Sequence, residues 1–241
     1  MAVRIEIVPQ TGSTSADLLA RLARGELVPE GYWLVADRQT AGRGRQGREW
    51  LDAPGNFMGS TVVCLTGREP PASTLSFVAA LAVYEAILAQ IGAPQLLQLK
   101  WPNDLLLAGD KLAGILLERS GEFAVVGIGV NLSAAPALPG RRAGKLAQVA
   151  PAPERDSFAR ELAASFDREL DRWRQFGLGP LLSRWLAAAH PAGTALTVHA
   201  ADGAIVAGRF AGLEPDGALR LRLADGSTRV IHAGDVALEG N

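Results

Sequence analysis

The sequence predicts an α+β fold: a mixed β-sheet backed by helices, followed by a small all-β module. Strand-like and helix-like segments alternate over residues 1–190, and one of the helix-like segments is apolar on nearly every face. Beyond residue 190, short alternating segments are punctuated by Asp-Gly pairs at 202–203, 216–217 and 225–226. With 241 residues, of which 48% are hydrophobic and 20% charged, the chain can fill a sizeable core. The expected organisation is a main domain at 1–190 and a small β domain at 191–241, which at that size leans on the main domain for stability.

Val3, Ile5 and Ile7 alternate with Arg4 and Glu6 as in a half-buried strand, which Pro9 and Gly12 should end. Thr14-Ser15-Ala16-Asp17 matches a capping box and opens a short helix to about Arg24. Residues 33–36 form the next strand. Residues 37–57 hold Gly42, Gly44, Gly47, Pro54 and Gly55 with little hydrophobic period, so they read as a long loop. A strand at 58–65 and the all-round apolar helix at 74–91 follow. Further strands are expected at 96–101, 111–118 and 123–130, separated by Asn103-Asp104, Gly109-Asp110 and Gly121. Residues 133–153, with four prolines, read as a surface connection. Two amphipathic helices follow at about 154–176 and 180–189. His190-Pro191-Ala192-Gly193 breaks the helical pattern before the β module.

Composition narrows the function classes. The formal net charge is −1, so no global field draws the chain to nucleic acid or anionic lipid, and any anion site must be local. Cys64 is the single cysteine, which excludes an intrachain disulfide and a multi-thiolate metal site and fits a reducing cytoplasm. The N-terminus lacks a signal pattern, and the longest greasy stretch, 75–84, is shorter than the roughly 18 residues of a membrane span, so the chain reads as soluble and unprocessed.

Two clusters stand out. The stretch 38–48 holds four arginines, three glycines and no acid, and self-repulsion makes it costly to order without an anion. Gly42-x-Gly44-x-x-Gly47 meets the dinucleotide fingerprint, but Pro54 and Gly55 follow where that motif needs a helix. Lys100-Trp101-Pro102-Asn103-Asp104 precedes Lys111-Leu112-Ala113-Gly114-Ile115-Leu116, which places two lysines and a carboxylate where strands meet turns. Each piece also has a plain structural reading, as do Ser13-Thr14-Ser15 as a helix cap and Gly127-Ile128-Gly129-Val130-Asn131 as a strand with an Asn turn. His190, His199 and His232 lack metal-ligand spacing, and Cys64 reads as core.

Taken together and in this order, these motifs closely resemble the biotin protein ligases over residues 10–132, and the C-terminal module resembles that family's SH3-like β-barrel. The resemblance implies a class II synthetase-like catalytic domain, shared with lipoate ligases. Such enzymes use Mg2+ and ATP to convert biotin to biotinyl-5′-AMP, then pass biotin to a lysine of the biotin carboxyl carrier protein of acetyl-CoA carboxylase. It further implies that Ser13, Thr14, Ser15 and Gln39 hold the ureido head, although Ser15 stands where many members carry asparagine. Gly42, Arg43, Gly44 and Arg45 would form the loop over biotin, and Lys111 would face its carboxylate. Arg48, Lys100, Asn103 and Asp104 would lie toward ATP, with Asp104 as the candidate metal ligand, Asn131 near the adenylate and Trp50 stacking on adenine. Lys111, Arg45 and Arg48 would carry catalysis, and no covalent protein nucleophile is required. The repelling arginines predict a loop that is open until ligand arrives.

The ligand motif begins at Ser13, so no N-terminal DNA-binding domain and no operator binding are expected, nor is membrane association. A homodimer is left open. Two rival readings are a lipoate or octanoate ligase or transferase of the same superfamily, and a non-enzymatic ligand-sensing module. The polar Ser, Thr and Gln side chains favour biotin over a linear acyl chain, and the arginine loop lacks the recognition helix or stacking aromatics that base readout would use.

Overall fold

A computed structural model describes residues 4–137, 142–200 and 203–238; Val3, Pro139 and Asp202 of the sequence reading lie outside them. The main body is a seven-stranded sheet made by β1 (Arg4–Thr11), β2 (Tyr32–Gln39), β3 (Phe57–Cys64), β4 (Leu97–Lys100), β5 (Asp104–Leu107), β6 (Asp110–Ser120) and β7 (Phe123–Val130). Their spatial order is β1-β2-β3-β7-β6-β5-β4, with β1 parallel to β2 and every other pair antiparallel.

Period-two alternation places the two faces of the sheet in two cores. Trp33, Val35, Val63 and Val126 enter the larger one, while Leu34, Val62 and Val125 enter a smaller one beneath helix α1 (Thr14–Ala23). The larger core holds α2 (Leu75–Ile91), packed between the sheet and α3 (Arg155–Phe176), with α4 (Leu178–Ala188) beside them. Sandwiched in this way, α2 buries residues all round, as its composition requires. By length and composition alone Ala72–Ile91 could cross a membrane, which exceeds the shorter stretch counted from sequence, but most of it is buried here as core. Edge-to-face pairs lock α3 onto the sheet: Trp33 with Phe166 and Phe57 with Phe158, each at 5.6 Å.

The structure departs from the sequence expectations at four places. β1 does not stop at Pro9 but runs to Thr11, because it is an edge strand and Pro9 falls between the paired positions Val8 and Gln10, where no ladder donor is needed. Ile7 on that edge is 41% exposed rather than buried. The cap of α1 is Ser13, whose hydroxyl accepts from the Ala16 N–H, while Asp17, the expected box partner, takes the Thr11 hydroxyl instead. Asp104 opens a strand, β5, in a stretch read as a turn and connector, and Asp104 and the three leucines after it, Leu105–Leu107, are buried between β4 and β6.

The C-terminal module is an antiparallel sheet of β8 (Ala195–Ala200), β9 (Ile205–Leu213), β10 (Leu219–Arg222), β11 (Thr228–Ile231) and β12 (Gly234–Leu238), in the order β11-β10-β9-β8-β12, consistent with a small SH3-like domain. The expected Asp-Gly turns at 216–217 and 225–226 are present, with φ of 88° at Gly217 and 85° at Gly226. Leu196, Val198, Phe210, Leu219 and Leu221 join the larger core. Trp101 Nε1 donates to the Gly217 carbonyl at 3.1 Å, so the segment bearing Lys100 and Asn103 is tied to this module.

Candidate functional site

A cavity of about 930 Å3 opens over the ends of β6 and β7, walled by the start of α1, the arginine-rich loop, the 100–104 segment and β12 of the C-terminal module. Fourteen of the fifteen residues singled out from sequence line it; Gly42 does not. They divide into a neutral polar end, a glycine floor and a cationic end.

The neutral end is a closed hydrogen-bond cluster. Gln39 Oε1, at the end of β2, accepts from the Thr14 backbone N–H at 2.8 Å and from its hydroxyl at 3.1 Å. The Thr14 and Ser15 hydroxyls lie 2.7 and 2.9 Å from Ser60 Oγ on β3. All are buried, as is Ser13, so the cluster presents fixed donors and acceptors to whatever enters. Ser60 was missed from sequence, hidden in an apolar strand. Gly127 belongs to this wall: a Cβ there would sit 2.4 Å from Ser15 Oγ.

The floor is made by Gly114 on β6 and its register partner Gly129 on β7. The missing side chains admit the Trp50 indole, whose ring atoms lie as close as 2.3 Å to where a Gly129 Cβ would be. Trp50, expected over adenine, thus lies on the glycine floor with Lys111 Nζ 6.0 Å from its ring centre. Gly42 acts behind it: its carbonyl accepts the Trp50 N–H at 2.9 Å, and a Cβ at 42 would meet the Trp50 carbonyl oxygen at 2.3 Å.

The cationic end centres on Asp104, whose carboxylate lies 2.6 Å from Lys111 Nζ and 3.2 Å from Lys100 Nζ. Burial alone would push this carboxyl up, but the two ammoniums outweigh it and hold it below its ordinary value. Asn103 donates to the Ile115 carbonyl at 2.6 Å and accepts from Arg45 at 3.2 Å. Burial depresses the Arg45 guanidinium below its usual value despite the nearby Asp235 and Asp104. Asn131 spends its amide on framework: it donates to the Gly144 carbonyl at 3.0 Å and accepts from Asn56 at 3.3 Å, which steadies the chain beside Lys111.

The arginine loop is folded rather than open. Its two limbs are joined by Gly44 N–H to the Arg48 carbonyl at 2.7 Å, around a 3-10 turn at Arg45–Gly47. Asp52, just past the loop, pairs with Arg38 at 2.7 Å, and two further anions come from far along the chain: Glu118 pairs with Arg43 at 2.7 Å, and Asp235 pairs with Arg48 at 2.8 Å. None of these acids was singled out from sequence. No helix follows Gly47, so the dinucleotide fingerprint lacks its helix here.

A resident metal site does not fit these residues. Among the described residues no three His, Cys, Asp or Glu side chains cluster to hold an ion, and Asp104 is already occupied by two lysines. His190 and His232 lie away from the cavity; His199 lines it. Cys64 is half-buried at the end of β3, and burial raises its thiol.

Residues 9–133 match the biotin/lipoate A/B protein ligase family, and residues 197–238 match the biotin protein ligase C terminal domain. The biotin--[acetyl-CoA-carboxylase] ligase of Paracoccus denitrificans is 39% identical, over 97% of this chain and 100% of that protein. The enzyme of the same name from Mycobacterium tuberculosis is 37% identical over 97% of this chain and 88% of that one. Among solved structures, the biotin protein ligase from Aquifex aeolicus in complex with biotin and ATP superposes with a TM-score of 0.85 at 25% identity, covering 98% of each chain.

Proposed function

Because this chain belongs to the biotin/lipoate A/B protein ligase family, we propose that it activates biotin with ATP to biotinyl-5′-AMP and transfers the biotin to a lysine of the carrier domain of acetyl-CoA carboxylase. The observation that carries this reading is one continuous cavity with a neutral hydrogen-bonding cradle at one end and four cations, Arg45, Arg48, Lys100 and Lys111, at the other. A ureido ring is small, neutral and rich in both donors and acceptors, which suits Thr14, Ser15, Gln39 and Ser60. A carboxylate and a triphosphate suit the cations.

In this reading Ser13, Thr14, Ser15 and Gln39 seat the ureido head, and Gly42, Arg43, Gly44 and Arg45 close over it. Lys111 holds the biotin carboxylate against the α-phosphate, where their mutual repulsion would otherwise keep them apart. A carboxylate oxygen attacks the α-phosphorus and pyrophosphate leaves. Arg45, Arg48 and Lys100 take up the charge on the phosphates, with Asn103 and Asp104 positioning them. Trp50 completes the wall beside the adenylate, and Asn131 braces Lys111. Magnesium arrives with the nucleotide as Mg-ATP rather than on a resident protein site. In the second step the carrier lysine amine attacks the acyl carbon, an amide forms and AMP leaves, so no protein nucleophile is needed. We place the catalytic unit at residues 1–190 and the small β domain at 191–241. A cytoplasmic setting, where ATP is available and the lone Cys64 stays reduced, suits the chemistry.

A thermal-shift panel with biotin and lipoate, each with and without Mg-ATP, tests the proposal, because a ligand of the native state raises its apparent stability by mass action. Biotin with Mg-ATP should give the largest shift. An equal or larger shift with lipoate would contradict the assignment.

A further inference from the structure

Asp235 lies 187 positions along the chain from Arg48, on the edge strand β12, yet it meets the guanidinium fork-on-fork: Arg48 NH2 lies 2.8 Å from Oδ1 and NH1 2.8 Å from Oδ2. Arg45 NH1 stands 3.8 Å from the same carboxylate and donates to the Gly234 carbonyl at 3.4 Å. Two residues on, where a strand's carbonyls return to the same edge, the Val236 carbonyl accepts from Lys100 at 3.0 Å. β12 pairs with β8 on one side only, so these carbonyls are free to turn toward the cavity. One short strand of the C-terminal module thus engages all three of the cations assigned above to the phosphates, Arg45, Arg48 and Lys100. Asp104, the other acid near Arg45, is held by two lysines and cannot take over if Asp235 is lost.

We infer that Asp235 is a positioning residue that stands in for the substrate's phosphates: its carboxylate holds Arg45 and Arg48 over the empty cavity, and the triphosphate displaces it on binding. A bidentate carboxylate offers an arginine fork the same geometry as two phosphate oxygens, so the arginines are pre-formed for the nucleotide. The displacement step rests on the reading of the cationic end as the nucleotide end, whereas the latch in the ligand-free protein does not. The loop and the C-terminal module are thereby coupled: nucleotide binding frees β12 from the loop.

Limited trypsin digestion of the full chain, read by fragment mass, separates the possibilities. Cleavage after Arg45 and Arg48 reports the loop, and cleavage after Arg168 in α3 reports global unfolding. Without ligand, Asp235→Asn should be cut in the loop at least about fivefold faster than wild type, the population change that a pair of modest strength supplies, with the Arg168 rate unchanged. Asp235→Glu, which keeps the anion, should stay near wild type. Adding biotin and Mg-ATP should return Asp235→Asn to the wild-type rate, since the phosphates then replace the missing carboxylate. Arg48→Gln, which breaks the fork from the other side, should expose the Arg45 bond to the same degree. Loop cleavage of Asp235→Asn within about twofold of wild type would overturn the latch. A parallel rise at Arg168 would overturn it in favour of a general stabilising contact. Failure of ligand to restore protection, in a protein whose wild type exchanges pyrophosphate with biotin, would overturn the stand-in role alone; a wild type inactive in that exchange would bring down the nucleotide reading itself.

Discussion

Lys111 Nζ lies 2.6 Å from Asp104 Oδ1, and the same carboxylate carries Lys100 at 3.2 Å, so one buried acid holds two ammoniums at the mouth of the cationic end. This is an unequal arrangement: two positive charges share one negative, and the surplus is offered to the cavity. Lys111→Ala should therefore remove the charge that meets a desolvated carboxylate while leaving Asp104 paired with Lys100. Losing one partner of such a pair costs on the order of 2–5 kcal/mol, which is more than tenfold in rate. Biotin-dependent pyrophosphate exchange should fall by at least that factor, with a melting temperature close to wild type. Exchange within about threefold of wild type would make Lys111 a bystander.

Gly42 does not line the cavity but should matter to it. A Cβ at this position would press to 2.3 Å on the Trp50 carbonyl oxygen, a backbone atom that cannot swing aside. Gly42→Ala should break the Trp50 to Gly42 hydrogen bond and displace the indole from its glycine floor, weakening biotin binding about tenfold, or ~1–2 kcal/mol. Calorimetric titration with biotin measures this. Unchanged affinity would show that the loop closure does not position Trp50.

His190 supplies a pH signature. Its ring is buried at the junction of α4 and the C-terminal module, edge-to-face with Phe210 at 5.2 Å, with no hydrogen-bond partner for either nitrogen among the described residues. Burial, with the nearby Lys100 adding to it, depresses its pKa to about 4. The unfolded chain binds the proton near pH 6.5 and the folded chain does not, so stability is full above about 6.5 and falls as pH drops toward 4, by at most ~1.4 kcal/mol per pH unit. Thermal melts across that window should show this acid limb, and His190→Leu should flatten it. An unaltered limb in the variant would assign the loss to other groups.

Much of the site was legible because its parts are local. The helix cap at 13–15, the Arg-Gly loop and the lysines at strand ends each carry their signal within a few residues, where spacing and residue type can be read directly. Ser60 carried no such signal: its neighbours Gly59 and Thr61 sit in an ordinary apolar strand, and only the packing of α1 against β3 brings it to Thr14. Asp235 was hidden for a related reason, since a Gly-Asp step among short strands reads as a turn, and its partners lie in another part of the chain. The same blindness made the arginine loop look open, because self-repulsion was visible in the sequence and the distant acids that cancel it were not. β5 was lost because Leu105, Leu106 and Leu107 run without alternation, and so short a continuous apolar run has no period to read.

The central claim is that this cavity activates the carboxylate of biotin. Exchange of labelled pyrophosphate into ATP reads that step directly and needs no carrier protein. The account predicts exchange that depends on biotin and on Mg-ATP and that lipoate does not support. Equal exchange with lipoate, or none with biotin, would contradict it.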